Sequence, residues 1–444
     1  MATPASRLER GMSAAAITDE IAGIALRRHG GRGWWILFAM SLALTVMLAG
    51  GIVVLLVRGV GIWGIDMPVA WSFAITNYVW WIGIGMAGTF ISAALHLTRQ
   101  GWRSALSRHA EAMTLCALAV SGLFPVLHLG RPWFAYWIMP YPDKMGLWPQ
   151  WRSALTWDFF AIGTYVVVSA LYFYVGQLPD LAAVRDRATT RGRQVFYALL
   201  ALGWRGEAAD WRRHATLTRL LAALAVPLVF SVHSMVALDF SEGLLPGWHS
   251  TIFPPFFVAG ALFSGIAMVI LLSLAMRRAY GLGRYITDVH LDKLAKLMLA
   301  AGCVVTYGYA AEVFTAYYGG DPFETAVIAH RLHGAYAWTF WSTVALNSVA
   351  IQALWWPAAR RNRLVLVLVS AGVLAGMWLE RFMLIVTSLY RDYLPSSWGM
   401  FYPTLWDIVF LLGSIGLFGL LFLLFVRWLP VLAIAELRRT EALR

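Results

Sequence analysis

Long apolar runs alternate with short polar segments along most of this chain. The runs fall at roughly 34–57, 68–97, 109–128, 155–176, 216–240, 254–276, 294–317, 334–357, 364–389 and 405–427. Each has about the 20 residues that a helix needs to cross the hydrocarbon of a bilayer. The pattern therefore predicts an all-α, polytopic transmembrane protein with about ten spans between residues 33 and 428. Polar tails at 1–32 and 429–444 flank the spans, and an arginine-rich connector at 177–215 interrupts them. In the first tail Ile17, Ile21 and Ile24 are spaced i, i+4, i+7, which would give a short helix one apolar stripe. That stripe is expected to rest on the membrane surface or on a neighbouring subunit, with a freely moving tail as the other expectation.

Composition narrows the class. Of the 444 residues 60% are hydrophobic and 13% charged, and mean hydropathy is +0.66, which excludes an ordinary soluble enzyme. A formal net charge of +12 would suit nucleic acid if it were gathered on one surface. Instead, the first tail, 99–108, 177–219, 277–296, 360–363 and the end from Arg427 hold 28 of the 35 Lys and Arg. Of the other seven, six lie in the alternate loops and Arg381 lies inside a run. This is the positive-inside pattern; it predicts that both termini are cytoplasmic and argues against nucleic acid as a partner. The outer loops 129–154 and 391–404 are then dense in Trp, Tyr, Phe and Pro, as an interfacial belt or a docking surface would be. The first 32 residues carry five Arg and no apolar run, so no cleavable signal peptide is expected. Cys116 and Cys303 lie in apolar runs without a C-x-x-C partner, which leaves no ligand set for zinc or an iron–sulfur cluster.

Candidate chemistry gathers toward the outer ends of the spans. Between 121 and 160 one run ends in His128, an aromatic, proline-rich loop follows, and the next run opens with Trp157 and Asp158. An imidazole and a carboxylate at facing helix ends suit the binding and deprotonation of a flat, lipid-soluble donor such as a quinol. The plainer alternative is that they cap helix ends. A charge at mid-bilayer costs on the order of 2.5–3.5 kcal/mol, so the other polar residues in the runs also need a reason. His233 and Asp239, in the fifth run, are six positions apart and so on different faces; Glu312, in the seventh, has Tyr309 one turn before it. Glu380 and Arg381 are adjacent in the ninth, and Asp407 opens the tenth. Neighbours on a helix point about 100° apart, so Glu380 and Arg381 are expected to pair with different helices. They form either a packing ion pair or part of a proton route. At the inner ends His96, His109 and Glu111 would begin such a route or simply lie at the interface. His128 and His233 are the one histidine pair at comparable depth for a single haem. A secondary transporter, with buried acids as coupling-ion sites, is the rival from another class, although paired broken spans in two matching halves are not evident.

Five stretches carry a further resemblance: GIDMPVAWSFAITNYVWWIGIGMAGTFISA at 64–93, HLGRPW at 128–133, SALTWDFF at 153–160, HSMVALDF at 233–240 and GMWLERFMLIVTSL at 376–389. Together they resemble the NrfD/PsrC family of quinol-interacting membrane subunits, most closely its ActC branch from alternative complex III. The resemblance implies two four-helix bundles plus extra helices, and no haem or iron–sulfur cluster in the chain itself. It implies oxidation of a quinol, menaquinol or ubiquinol, near the periplasmic face of a bacterial inner membrane. Electrons would pass to a periplasmic iron–sulfur subunit, with c-type cytochromes and a second NrfD-like subunit nearby. His128 and Asp158 match the family's quinol-site positions and Asp239 a further acid near them; His128 is expected as hydrogen-bond partner and first base, Asp158 as its orienter or a second acceptor, and Asp239 as a proton exit or site wall. Glu380 and Arg381 match a motif linked with a proton path, to which His233, Glu312, His96 and Glu111 are added as expected members. NrfD-like anchors of molybdenum enzymes are the alternative within the family; ten spans and WLERF at 378–382 favour ActC.

Overall fold

The computed structural model describes residues 13–27, 31–138 and 151–442, and every regular element among them is helical. The first, α1 (Ala14–Leu26), opens behind Ser13, whose hydroxyl accepts the Ala16 N–H at 3.2 Å. Nine helices among the described residues are long and apolar enough to cross a membrane. They are α2 (Arg32–Arg58), α3 (Phe73–Leu97), α4 (Ser107–Ser121) continued past Gly122 by α5 (Leu123–His128), α6 (Ala154–Arg187), α8 (Ala208–Ser241), α9 (Phe253–Tyr280), α10 (Asp288–Gly319), α14 (Arg363–Leu389) and α15 (Leu405–Trp428). Shorter helices join them: α7 (Arg191–Leu200), α11 (Pro322–His333), α12 (Ala337–Val344), α13 (Pro357–Arg361) and α16 (Ile434–Ala442).

The run at 334–357, expected as a tenth span, is helical without being one α-helix. Here α12 passes into a π-turn at Ala345–Val349 and then a 3-10 stretch at Ala350–Trp355. The widened turn carries Asn347, fully buried, whose amide donates to the Tyr309 hydroxyl at 2.9 Å.

Packing divides the spans as the resemblance implied. One four-helix bundle comprises α3, α4–α5, α6 and α8; the other comprises α9, α10, α14 and the mixed helix at 337–355. They join where α3 and α8 lie on α9, while α2 pairs with α15 alongside the first bundle. The central helix α3 approaches its neighbours closely because small residues line the crossings. A Cβ at Gly88 would stand 2.0 Å from the Ala110 carbonyl oxygen on α4, and one at Gly265 on α9 would stand 2.0 Å from the Ala87 Cβ. Buried indoles fix the same helix: Trp80 donates to the Leu374 carbonyl at 3.0 Å and Trp81 to the Ser414 hydroxyl at 2.9 Å.

Two polar segments, one of them different from expectation, lie at the basic end of the bundle. The connector 177–215 is largely helical, since α6 runs through Pro179 to Arg187, α7 follows, and Glu207 and Asp210 make a capping box for α8. The isoleucine stripe of α1 does not lie on a membrane surface or another subunit. Ile17 and Ile21 are fully buried and Ile24 is 4% exposed, with α1 packed on α6, α15 and α16 of the same chain. Arg187 pairs with Asp19, and the Tyr285 hydroxyl donates to Glu20 at 2.8 Å, so polar contacts hold the opposite face of α1.

Candidate functional site

At the opposite end of the bundle three side chains from three helices converge. Asp158 sits in the second turn of α6, Asp239 near the end of α8 and Tyr78 in the second turn of α3. The Tyr78 hydroxyl donates to Asp158 Oδ2 at 3.4 Å, and the Asp158 and Asp239 carboxyls are in hydrogen-bond contact. Two carboxyl groups can make that contact only with a proton between them. Asp158 is 6% exposed and Asp239 is half-buried. Beside them Phe240 meets Trp248 edge-on at 5.0 Å between ring centroids and Trp71 at 5.9 Å. The result is a pair of acids, touched by a tyrosine hydroxyl and set beside an aromatic wall, which can bind and deprotonate a hydroxyl on a flat ring.

His128 is not part of this contact. No hydrogen bond among the described residues joins it to Asp158, so Asp158 does not orient its ring; Tyr78 and Asp239 are the carboxylate's partners instead. The half-buried imidazole lies parallel to the Trp63 indole, with an interplanar angle of 13° and centroids 6.2 Å apart, and its Nδ1 has no partner. The physical reason is the short helix α5, which Gly122 separates from α4 and which carries His128 against the start of the α2–α3 connection. Tyr78 was missed by the sequence reading. Its signal was a hydroxyl among the apolar residues that open α3, with no acid near it in sequence. The loop between His128 and Asp158 is described only in part, and 139–150, including Lys144 as an expected point of contact with a partner, lie outside the described residues.

The other predicted polar residues form separate groups. His233 is fully buried in α8 with neither ring nitrogen partnered, 6.1 Å from the Phe257 ring centroid and away from the Asp239 contact, as its spacing implied. Glu380 accepts from the Tyr309 hydroxyl of α10, while the Arg381 guanidinium lies 3.9 Å from the Phe257 ring centroid of α9. Different helices thus engage the two, as expected, but they also meet each other: Arg381 Nη1 stands 2.9 Å from Glu380 Oε1, close enough for an ion pair without the alignment of a hydrogen bond. A long guanidinium chain can fold back across the angle that separates adjacent residues. Glu312 follows Tyr309 by one turn yet takes a different partner, Arg331 of α11 at 2.5 Å. Arg331 also donates to Thr387 at 2.9 Å and Ser388 at 3.0 Å.

At the basic end Glu111 is 1% exposed and enclosed rather than open to solvent. It accepts from Ser92 at 2.5 Å and lies 3.2 Å from Arg108 and 3.7 Å from Arg103. Arg108 also pairs with Asp180 at 2.8 Å, and Arg103 reaches Glu436 on α16. His96 is half-buried near this cluster, and His109 bonds Ser273 at 2.9 Å. Asp407 caps α15 and also accepts the Gly64 N–H at 2.9 Å. Among the described residues no group of three or more His, Cys, Asp or Glu side chains could hold a metal ion.

Residues 63–391 match the family described as Polysulphide reductase, NrfD. The chain belongs to the NrfD family. The matched region runs from the Trp63 that stacks on His128 to Arg391, so it includes both four-helix bundles and every side chain of the carboxyl cluster. Helices α1, α2, α15 and α16 lie outside it. Among curated proteins, this NrfD-family chain is similar to the "Putative dimethyl sulfoxide reductase membrane subunit" of Halobacterium salinarum. The two are 25% identical over 436 residues, spanning 90% of this chain and 92% of that protein. It is also similar to a selenate reductase subunit of Mesobacillus selenatarsenatis, 21% identical over 380 residues, 82% of this chain and 86% of that one.

Proposed function

We propose that this NrfD-family chain is the membrane subunit of an oxidoreductase complex, and that it oxidises a quinol at the cluster of Tyr78, Asp158 and Asp239. The observation that supports this reading is the meeting of two acids, Asp158 and Asp239, with the Tyr78 hydroxyl at one end of the helices. Oxidation of a quinol releases two protons and two electrons. One hydroxyl donates its proton toward Asp158, Asp239 relays it outward, and Tyr78 holds Asp158 in place. His128, with its free Nδ1, supplies a hydrogen bond to the substrate from the neighbouring helix end. The electrons leave to an iron–sulfur subunit outside the membrane. The basic loops set both termini, including 1–32 and 429–444, on the cytoplasmic side, with 33–428 as the membrane domain and the carboxyl cluster near the periplasmic face of an inner membrane. His233, Glu312, Glu380 and Arg381, with His96 and Glu111 at the basic end, are the proposed groups of a proton route.

The names of the two relatives favour one version of this reading over partnership with c-type cytochromes and a second NrfD-like subunit: an anchor of a molybdenum-type reductase, which takes quinol electrons to a terminal acceptor. The test is a quinone bearing a photoreactive group, bound to the purified complex. Labelling of peptides that contain Tyr78, Asp158 or Asp239, suppressed by excess quinone, is the expected result. Competed labelling confined to other peptides overturns the assignment.

A further inference from the structure

The end of the bundle that carries the carboxyl cluster has a second feature, built by the loops between its helices. Three connections meet there: 59–72, 242–252 and 390–404. The Tyr393 hydroxyl donates to the Leu244 carbonyl, at 2.6 Å, and a Cβ at Gly399 would stand 2.9 Å from Pro68. The surface so formed is apolar to an unusual degree for loops: Met67 is 96% exposed, Leu244 82%, Tyr402 72% and Leu394 63%. Isolated exposed apolar side chains need no explanation, but several on contiguous end loops mark a face that is covered. Lipid tails reach the flanks of a helix bundle rather than the loops across its end.

Within that surface Arg391 is half-buried, its guanidinium 5.4 Å from the Tyr390 ring centroid and 5.0 Å from that of Trp398. The imidazole of His330 lies against it, with Nε2 3.2 Å and Nδ1 3.5 Å from Arg391 Nη1. Burial and then the adjacent guanidinium hold the His330 imidazole below its usual range. No ion pair among the described residues includes Arg391. The nearby carboxylates are engaged elsewhere. Asp392 accepts from Leu394 N–H and the Ser397 hydroxyl, Glu324 from Gly247 N–H, Asp66 from Val69 N–H, and Glu312 holds Arg331. A half-buried cation beside two aromatic rings, with no counter-charge among the described residues, on an exposed apolar face is half of an interfacial ion pair.

We propose that Arg391, oriented by His330 and framed by Tyr390 and Trp398, is the socket for a carboxylate side chain of the extramembrane partner subunit, with Met67, Leu244, Leu394 and Tyr402 as the apolar surround. The proposal rests on the reading of this chain as the membrane subunit of a complex. Arginine suits the task because its planar fork engages a carboxylate through two hydrogen bonds and its charge persists at any working pH. An apolar surround excludes water and so strengthens the pair.

The test uses membranes that carry the complete complex. Arg391→Glu is expected to lower the partner subunit retained after a high-salt wash at least tenfold, and Arg391→Lys to restore part of it. Quinone photolabelling at Tyr78, Asp158 or Asp239 should be unchanged, which separates this proposal from the quinol assignment. Because a charge reversal can disturb folding, Leu394→Cys carrying a cysteine-to-amine crosslinker gives an independent reading, with a crosslink to the extramembrane subunit expected. Wild-type retention in Arg391→Glu overturns the proposal, as does loss of a bound anionic phospholipid, seen by native mass spectrometry, without loss of the subunit. Asp143 lies outside the described residues; an Asp143→Asn variant that reproduces the Arg391→Glu defect overturns it as well. A complex in which no extramembrane subunit accompanies the wild-type chain overturns both this socket and the reading on which it rests.

Discussion

Asp158 and Asp239 touch through a hydrogen bond between their carboxyl groups, although α6 and α8 present them from opposite ends of a long connector at the other side of the bundle. Such a contact holds a proton between the two groups. Asp158→Asn keeps the shape and removes the acid. Quinol:acceptor turnover should fall at least roughly tenfold, a loss of about 1.4 kcal/mol of transition-state stabilisation, in a complex that still assembles normally. His128→Ala should raise KM for quinol more than it lowers kcat, because the ring sits outside the carboxyl contact. Steady-state assays in membranes check both, and wild-type turnover in Asp158→Asn removes the pair from the site.

Arg381 is 2% exposed, and its carboxylate neighbour is Glu380. Glu380→Gln leaves the guanidinium with the face of Phe257, so unfolding free energy should drop by about 3 kcal/mol, the usual cost of breaking a buried pair from one side. Tyr309→Phe should cost about 1 kcal/mol, since only a hydrogen bond is lost. Thermal unfolding in detergent measures the two. Proton-to-electron ratios in vesicles, read with a trapped pH dye, then report whether Glu380 also carries protons. A Glu380→Gln complex with wild-type stability and a wild-type ratio defeats both roles.

At the basic end Arg103 and Arg108 hold the carboxylates of Glu111, Asp180 and Glu436, and the Ala435 N–H donates to Asp180 at 2.9 Å. This clamps α16 to the spans. Arg108→Met should destabilise the fold by about 3–5 kcal/mol and free the C-terminal helix to proteases. Burial raises the Glu436 carboxyl, but Arg103 and then Arg108 outweigh it and hold the group below the usual carboxylate range. A depressed folded value stabilises above the ordinary carboxylate pKa, and that contribution is lost as pH falls through the folded value. Wild-type protein should therefore lose α16 docking in acid, and Glu436→Gln should be weaker near neutrality and flatter on the acid side. Protease cleavage of the C-terminus followed against pH tests this; identical profiles reject the clamp.

Gly88 lies against the Ala110 carbonyl oxygen with no room for a Cβ. Gly88→Ala must separate α3 from α4, so a loss of more than about 3 kcal/mol or failure of assembly is expected. Since Tyr78 rides on the same helix, any folded variant should also lose quinol turnover. A stable, fully active Gly88→Ala protein would show that the two helices do not need this approach.

Apolar runs of about twenty residues determine helices whatever their neighbours, because a backbone in hydrocarbon must satisfy its own hydrogen bonds. That is why the spans, the helical class and the motifs of the family could be read in order along the chain. Pairings between side chains follow a different logic. Asp158 and Asp239 were both singled out as acids, yet nothing in their spacing says that they touch each other, with His128 turned onto Trp63. Tyr78 becomes a partner only when α3 and α6 both pack on α8. The isoleucines at 17, 21 and 24 announce a buried stripe but not what buries it. The break at 345–349 depends on Asn347 reaching Tyr309 on another helix. Sequence periodicity reports which face of a segment avoids water, since that is a local property of transfer free energy. Which groups then meet depends on crossings set by small residues such as Gly88 and Gly265, and those contacts exist only once the helices have packed.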